Sequence, residues 1–352
     1  MSAAGEGSAG FAARHKVAIR FLGGLLAFLL GAGAGYTIGF EEQAVASGLI
    51  SLFVVGTALA VPEPVTYRAG ILIGIVATIG LLIAEVTTGD PVTAGIAMGA
   101  VSLLMSLARA GGKVAFVIGL ALGTAYFLPA TLGLVDGIDG EDVGAIGLAG
   151  IVAGLILTLA VSTLHRLFGE KPGSDAKKPR EPSQHEPALP RMWAELRQLG
   201  PDARTGIRRA LLLGIVMALY QVEGNVNLFW ILLTINLILQ PDPTASVNRA
   251  LSRSAGAVIG ALLVGVLSQF LSPTTMIALG ALAVIFGLSW YRKDYTVYAA
   301  CVTFLAVSIY GADTGSFWEW AGLRAIDTLI GAAVAIASIY LIFPEQKRAR
   351  AS

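Results

Sequence analysis

Residues 320–343 read WAGLRAIDTLIGAAVAIASIYLIF, a run of bilayer-spanning length whose only charges are Arg324 and Asp327. A transmembrane helix needs about 20 mostly apolar residues. Eleven more such stretches precede it, near residues 19–40, 44–61, 68–88, 92–108, 113–134, 143–167, 205–222, 226–240, 249–271, 274–290 and 294–312. About twelve spans place all but one of the 24 Lys and Arg residues on the same side. The loops left on the other side carry Glu41, Glu42, Asp90, Asp136, Asp139, Glu141, Asp142, Glu223, Asp313 and Glu319, and no basic residue. Basic loops are retained in the cytoplasm. The pattern therefore predicts an all-α, polytopic protein of the cytoplasmic (inner) membrane with both termini inside. Arg324 breaks the pattern and becomes the first suspect for function.

Composition agrees. The chain is 55% hydrophobic and 13% charged, with a mean hydropathy of +0.75, where a soluble protein carries about 25% charge. The net charge of +1 says little, because the information lies in where the charges sit. No Gly-rich turn ends in Lys-Ser or Lys-Thr, so ATP-driven transport has no support. Cys301 is the only cysteine, which leaves no disulfide and no Cys-based metal site. His15, His165 and His185 lie in a tail, at a span end and in a linker, where they share no metal and build no catalytic triad. The acids Asp136, Asp139, Glu141 and Asp142 read as a solvated loop. No cofactor, metal, catalytic residue or nucleic-acid partner is expected. The expected partners are the lipid bilayer and a small organic anion, with a homodimer left open. Arg14, Lys16 and Arg20 followed by Ala32-Gly33-Ala34 look like a cleavable leader. The run from Ile19 to Phe40 is nevertheless long enough to span and has a counterpart later in the chain, so it reads as a retained helix.

The chain divides into a first six-helix repeat (1–168), a cytoplasmic linker (169–203), a second repeat (204–344) and a cytoplasmic tail (345–352). The linker is rich in Pro, Lys and Arg and cannot bury a core. Within it Met192, Trp193, Leu196 and Leu199 recur at helical spacing beside Arg191 and Arg197, the pattern of a helix lying on the inner membrane surface. Landmarks in the two repeats pair up about 180 residues apart. Pro62-Glu63-Pro64 matches Pro241-Asp242-Pro243, Arg68 matches Arg249, Pro91 matches Pro273, Arg109 and Lys113 match Arg292 and Lys293, and Gly150 matches Gly331. That spacing is the mark of an internal duplication. Six spans per copy make the repeats parallel, related by an axis along the membrane normal. Gly70 and Gly74, Gly119 and Gly123, Gly150 and Gly154, and Gly256 and Gly260 are spaced to let helices approach closely, and read as packing faces.

Several side chains stand out against this background. Arg324 and Asp327 share one helix face in the outer third of the bilayer. Charge there is expensive and is normally paired, interior-facing and functional. Two readings remain: a site on a transport pathway, with Asp327 able to take up a proton, or a self-neutralised ion pair with Arg324 reaching the headgroups. Arg249 and Arg253, one turn apart at an inner helix end, either draw anions into a pore mouth or anchor the helix. The 226–240 span contains Trp230, Thr234 and Asn236 and ends at the proline break. Trp230 is a stacking surface or an interfacial anchor, and Asn236 needs a partner in another helix or a wet cavity. The break leaves backbone groups that must be buried in protein or line a cavity. Glu85 is the one acid in its span, a proton site or a headgroup neighbour.

Phe229-Trp230-Ile231-Leu232-Leu233-Thr234, followed by Gln240-Pro241, Arg249 to Arg253 and Gly256 to Gly260, resembles the signature segment of the fusaric-acid-resistance-like (FUSC) superfamily. Leu323-Arg324-Ala325-Ile326-Asp327-Thr328-Leu329-Ile330-Gly331 resembles its last-span motif. The resemblance runs from Arg204 to Pro344, and the first repeat fits only as a degenerate copy. That superfamily includes aromatic carboxylic acid exporters, and its fold is similar to that of plant aluminium-activated malate channels. The resemblance implies a secondary transporter exporting organic anions, aromatic carboxylates among them, with substrate contacts at Trp230, Thr234, Arg249, Arg253, Arg324 and Asp327. The alternatives are a passive anion channel and a membrane scaffold without transport. The larger exporters carry substantial cytoplasmic domains where this chain has a linker of about 35 residues. The sidedness has a direct check: single cysteines placed in 169–203 are expected to react with membrane-impermeant thiol reagents only from the cytoplasmic side, and labelling from outside would overturn the orientation.

Overall fold

A computed structural model describes residues 16–40, 44–58, 66–87, 89–131, 140–168, 187–291 and 293–343. Glu41, Glu42, the Pro62-Glu63-Pro64 turn, Asp136, Asp139, His15, His185, Arg292, most of the 169–203 linker and the 345–352 tail lie outside the described residues. The described residues form thirteen α-helices and no strand. In chain order they are α1 (Lys16–Thr37), α2 (Ala44–Ala58), α3 (Thr66–Thr87), α4 (Pro91–Leu107), α5 (Lys113–Thr131), α6 (Gly140–Phe168), α7 (Ala188–Arg197), α8 (Pro201–Glu223), α9 (Val226–Ile238), α10 (Pro243–Leu267), α11 (Pro273–Trp290), α12 (Tyr295–Thr314) and α13 (Phe317–Leu341).

Each of the twelve apolar stretches coincides with one helix, and α7 covers the stretch read as a surface helix. Among the described residues α3, α8, α10, α11, α12 and α13 are long and apolar enough to cross a membrane. The others offer shorter apolar windows. In α9 the 13 residues reach only about 20 Å.

Punctuation follows the chemistry of helix ends. Pro91 opens α4 behind the Asp90 cap, whose carboxylate accepts the Thr93 N–H at 2.8 Å. That bond holds the Asp90 carboxyl below the usual carboxylate range. Pro273 opens α11 behind Ser272, so the two prolines matched in sequence do the same job. Pro243 opens α10 behind Asp242, which accepts the N–H groups of Thr244 at 3.2 Å and Ala245 at 3.1 Å. The break between α9 and α10 is satisfied within the protein. Gln240 N–H donates to Ser246 Oγ at 2.9 Å, and that hydroxyl lies 3.2 Å from the Gln240 carbonyl and 3.1 Å from that of Asp242.

The chain forms two compact units, residues 27–210 and residues 1–26 with 211–352. In the first, α3 packs on α5 and α6, α2 on α6, and α4 on α5. Its core joins Ile50 and Val54 of α2, Ile73, Ala77 and Leu81 of α3, Val117, Ala121 and Ala125 of α5, and Ile151 of α6. In the second, α10 packs on α12 and α13, α9 on α13, and α11 on α12. Its core joins Ala261 and Val264 of α10, Met276 of α11, Phe304 and Val307 of α12, and Ala321 of α13. Taken in chain order, the four pairings of one unit are the four of the other.

In lipid, where apolar burial gives helices little reason to associate, close backbone approach supplies the packing energy. All four glycine pairs face a neighbouring helix. A Cβ on Gly256 would lie 2.5 Å from the Thr296 carbonyl oxygen, and one on Gly260 would strike that of Ala300, so α10 lies directly against the backbone of α12. Gly331 is held in the same way against α9, where an added Cβ would lie 2.8 Å from Thr234 Cβ and 3.0 Å from the Ile231 oxygen. Gly322, by contrast, has nothing within 4 Å of an added Cβ. Gly256→Ala and Gly260→Ala are expected to lower resistance to unfolding in mixed micelles. Gly322→Ala is expected to raise it by about 0.5–1 kcal/mol through helix propensity alone, and equal effects at the three positions would contradict this packing.

Candidate functional site

The buried stripe of α10 runs Ser246, Ala250, Arg253, Gly256, Gly260, Val264. Arg253 thus occupies the face that the glycines press onto α12. It lies about 15 Å along the helix from Pro243. The buried stripe of α13 runs Ala321, Arg324, Asp327, Thr328, Gly331, so Gly331, clamped on α9, fixes the height of the charges above it. Arg253 is 0% and Arg324 2% exposed. The two are close enough for their charges to oppose one another.

Arg324 Nη1 donates to Thr328 Oγ1 at 3.0 Å, and that hydroxyl donates to the Arg324 carbonyl at 2.8 Å. The guanidinium carbon lies 4.3 Å from the ring centroid of Trp230. Its Nε and Nη2 have no hydrogen-bond partner, and neither has Oδ2 of Asp327. The spacing of Arg324 and Asp327 allowed a self-neutralised ion pair, but the side chains do not form one. Arg324 turns along its own helix to Thr328 and lays its face on Trp230.

Arg253 is more exposed energetically. None of its three guanidinium nitrogens has a hydrogen-bond partner. The Tyr295 hydroxyl lies beside it, close enough for a weak polar contact, although neither the oxygen nor the guanidinium nitrogens reach full hydrogen-bond geometry. A buried cation left in this state costs several kcal/mol, so the arrangement favours whatever brings negative charge to it.

Aromatic rings connect these cations. Arg249, half-buried a turn before Arg253, donates to the Tyr291 hydroxyl at 2.7 Å and stands 4.0 Å from the Tyr295 ring centroid. Trp230 meets Tyr310 edge-on at 5.6 Å, and Tyr310 meets Trp320 at 4.9 Å. The order is Arg249, Tyr295, Arg253, Arg324, Trp230, Tyr310, Trp320. Thr234 is buried against Gly331 with its hydroxyl unpartnered.

Of the residues singled out in the sequence, Arg249, Arg253, Arg324, Asp327, Trp230 and Thr234 come together. Asn236, two residues beyond Thr234, falls on the opposite side of α9 and is half-buried. Glu85 is exposed on α3 beside Gly144, in the other compact unit. Sequence reasoning missed Tyr295, Tyr310, Trp320 and Thr328. The signal was available in the first two, which lie on one face of α12 with the buried Ala299 and Thr303 between them.

Chemically the cluster offers two forked guanidinium donors, flat aromatic faces beside them and one carboxylate. Guanidinium pairs bidentately with carboxylates, and the rings accept a flat apolar group alongside.

Residues 213–338 match the fusaric acid resistance protein-like family, bearing out the resemblance over the stretch that contains the site. The inner membrane protein YccS of Escherichia coli is 30% identical over 160 residues, 44% of this chain and 22% of that protein. An uncharacterized protein of Neisseria gonorrhoeae is 31% identical over 129 residues, 35% of this chain and 30% of its own. An uncharacterized Synechocystis protein is 28% identical over 155 residues, 43% of this chain and 20% of its own. The chain thus spans less than a third of the length of the curated relatives it matches. No solved structure matches it.

Trp230→Leu keeps the apolar bulk but removes the ring face beneath Arg324, and is expected to cost about 2 kcal/mol in dodecyl sulfate unfolding, as for a desolvated cation–π contact. Trp230→Phe, which keeps a ring, is expected to lose less; equal losses would mean that bulk alone matters.

Proposed function

We propose, for a chain whose residues 213–338 belong to the fusaric acid resistance protein-like family, that it is a secondary transporter exporting organic anions, aromatic carboxylic acids foremost, across the cytoplasmic membrane. The observation that carries this reading is the buried guanidinium pair, with five nitrogens lacking any partner, set among aromatic faces. A carboxylate would satisfy those donors and an attached ring would lie along Trp230 or Tyr310. A structural ion network would have closed on itself; this one remains in deficit.

In this mechanism Arg249, half-buried near the start of α10, attracts the anion. Arg253 accepts it at depth, and Arg324 receives it next. Trp230 and Tyr310 carry the ring as the carboxylate changes partners. Asp327 takes up a proton and so adjusts how strongly Arg324 holds the anion, which couples export to the proton gradient. Glu85, exposed on the other compact unit, is the second residue proposed for proton coupling. The name of the Escherichia coli relative supports an inner-membrane location. The matching helix pairings of the two units support the reading of twelve spans in two parallel six-helix repeats.

Arg324→Gln tests the assignment. Efflux of a radiolabelled aromatic carboxylate from loaded cells is expected to fall at least about tenfold, because removing one partner of a buried charge contact costs 2 kcal/mol or more. Unchanged efflux would remove Arg324 from the mechanism. Voltage-clamp recording of the reconstituted protein supplies a second criterion: an ohmic conductance carried by small anions would replace the exporter with a channel.

A further inference from the structure

Resting on the anion-transport reading above, we infer that Asp327 sets the valence of the ligand: the site selects anions carrying a single negative charge, because Asp327 supplies the other one. Arg253 and Arg324 bring two positive charges into a buried space, and Asp327 brings one negative charge. The groups facing them from neighbouring helices are Trp230 and Thr234 of α9 and Tyr295, Tyr298 and Tyr310 of α12, none charged near neutral pH. Arg249 lies a turn away, half-buried, and is occupied by Tyr291 and Tyr295. Counting the fully buried groups alone, with the half-buried Arg249 left to solvent, the uncompensated charge is one.

Charge imbalance is costly where water is excluded, so the preferred ligand is the one that brings the sum to zero. A monoanion does this. A dianion leaves the buried cluster negative and brings its second charged group against Asp327. The hydrogen-bond count agrees, since Oδ2 of Asp327 is an acceptor without a donor, and five guanidinium nitrogens are donors without an acceptor. One bidentate group can take two of those donors, while the Arg324 charge stays beside Asp327. Protonating Asp327, or replacing it with Asn, raises the deficit to two and makes the same cluster of cations suit a dianion. Selectivity between singly and doubly charged aromatic acids then depends on one carboxylate that need not touch the ligand.

Benzenesulfonate and meta-benzenedisulfonate make suitable probes, because both are strong acids whose charge does not change with pH. Affinities would be measured by calorimetry on the full chain in lipid nanodiscs. The wild type is expected to favour the monosulfonate. Asp327→Asn is expected to shift the affinity ratio toward the disulfonate at least about tenfold, while Asp327→Glu keeps the wild-type ratio. Lowering the pH is expected to move the wild type toward the Asn ratio and to leave Asp327→Asn where it is. Should the Asn variant fail to fold, the wild-type pH series carries the test by itself. An unchanged ratio in Asp327→Asn, a wild-type preference for the disulfonate, or a wild-type ratio indifferent to pH would each overturn the inference while leaving anion binding intact. A wild type that binds neither sulfonate would overturn the transport reading, and this inference with it.

Discussion

Burying two arginines inside one small helical unit is the constraint that organises its chemistry. A guanidinium carries its charge into any environment, and its five N–H donors must all find acceptors or stay unsatisfied. Arg324 finds one hydroxyl and one ring face; Arg253 finds only the weak contact of the Tyr295 hydroxyl. Such a state persists only if the helices cannot spread to admit water freely. The glycine contacts supply that restraint. With Gly256 and Gly260 against the α12 backbone and Gly331 against α9, the helices carrying the cations are held by direct backbone approach rather than by side chains able to rearrange.

The choice of neighbours has consequences for turnover. A second carboxylate locked onto Arg253 would stabilise it and also compete with any anion in transit. Aromatic faces lie beside the cations through their quadrupoles, at a fraction of the strength of a full buried charge pair. On the proposed reading, an arriving carboxylate would displace them without overcoming a salt bridge. The same rings present a flat apolar surface along the line from Arg249 to Trp320. Weak but continuous compensation is what a path needs if binding is to be favourable enough to enter and loose enough to leave.

Much of the helical arrangement was legible because it follows from local rules. Apolar length located the twelve stretches, and Pro91 and Pro273 marked the starts of α4 and α11; α10 begins at Pro243, ahead of the stretch read from residue 249. Glycine spacing located the packing faces. The site was legible only in part. Spacing places Arg324 and Asp327 on one face but does not decide which rotamer wins, and Thr328, four residues on, takes the hydrogen bond that Asp327 seemed placed to receive. Tyr295 and Tyr310 look like ordinary interfacial tyrosines in one dimension. Their role depends on which helix α12 packs against, and that is a long-range property.

The two units sharpen the question of why charge is present at all. Gly150 of α6 presses on α2 as Gly331 of α13 presses on α9, meeting the Ser47 oxygen and Ile50 where Gly331 meets the Ile231 oxygen and Thr234. Four and seven residues before Gly331 stand Asp327 and Arg324; four and seven before Gly150 stand Ile146 and Val143. Four residues before the glycine, the first unit thus buries the apolar Ile146 where the second buries Asp327. Replacing a buried ionic group by well-packed apolar side chains is commonly neutral or stabilising, so the scaffold has no need of the charges. Buried arginines occur in both units, Arg208 and Arg209 in the first and Arg253 and Arg324 in the second; those of the second lie beside Trp230 and the α12 tyrosines, where the proposed anionic ligand would meet them.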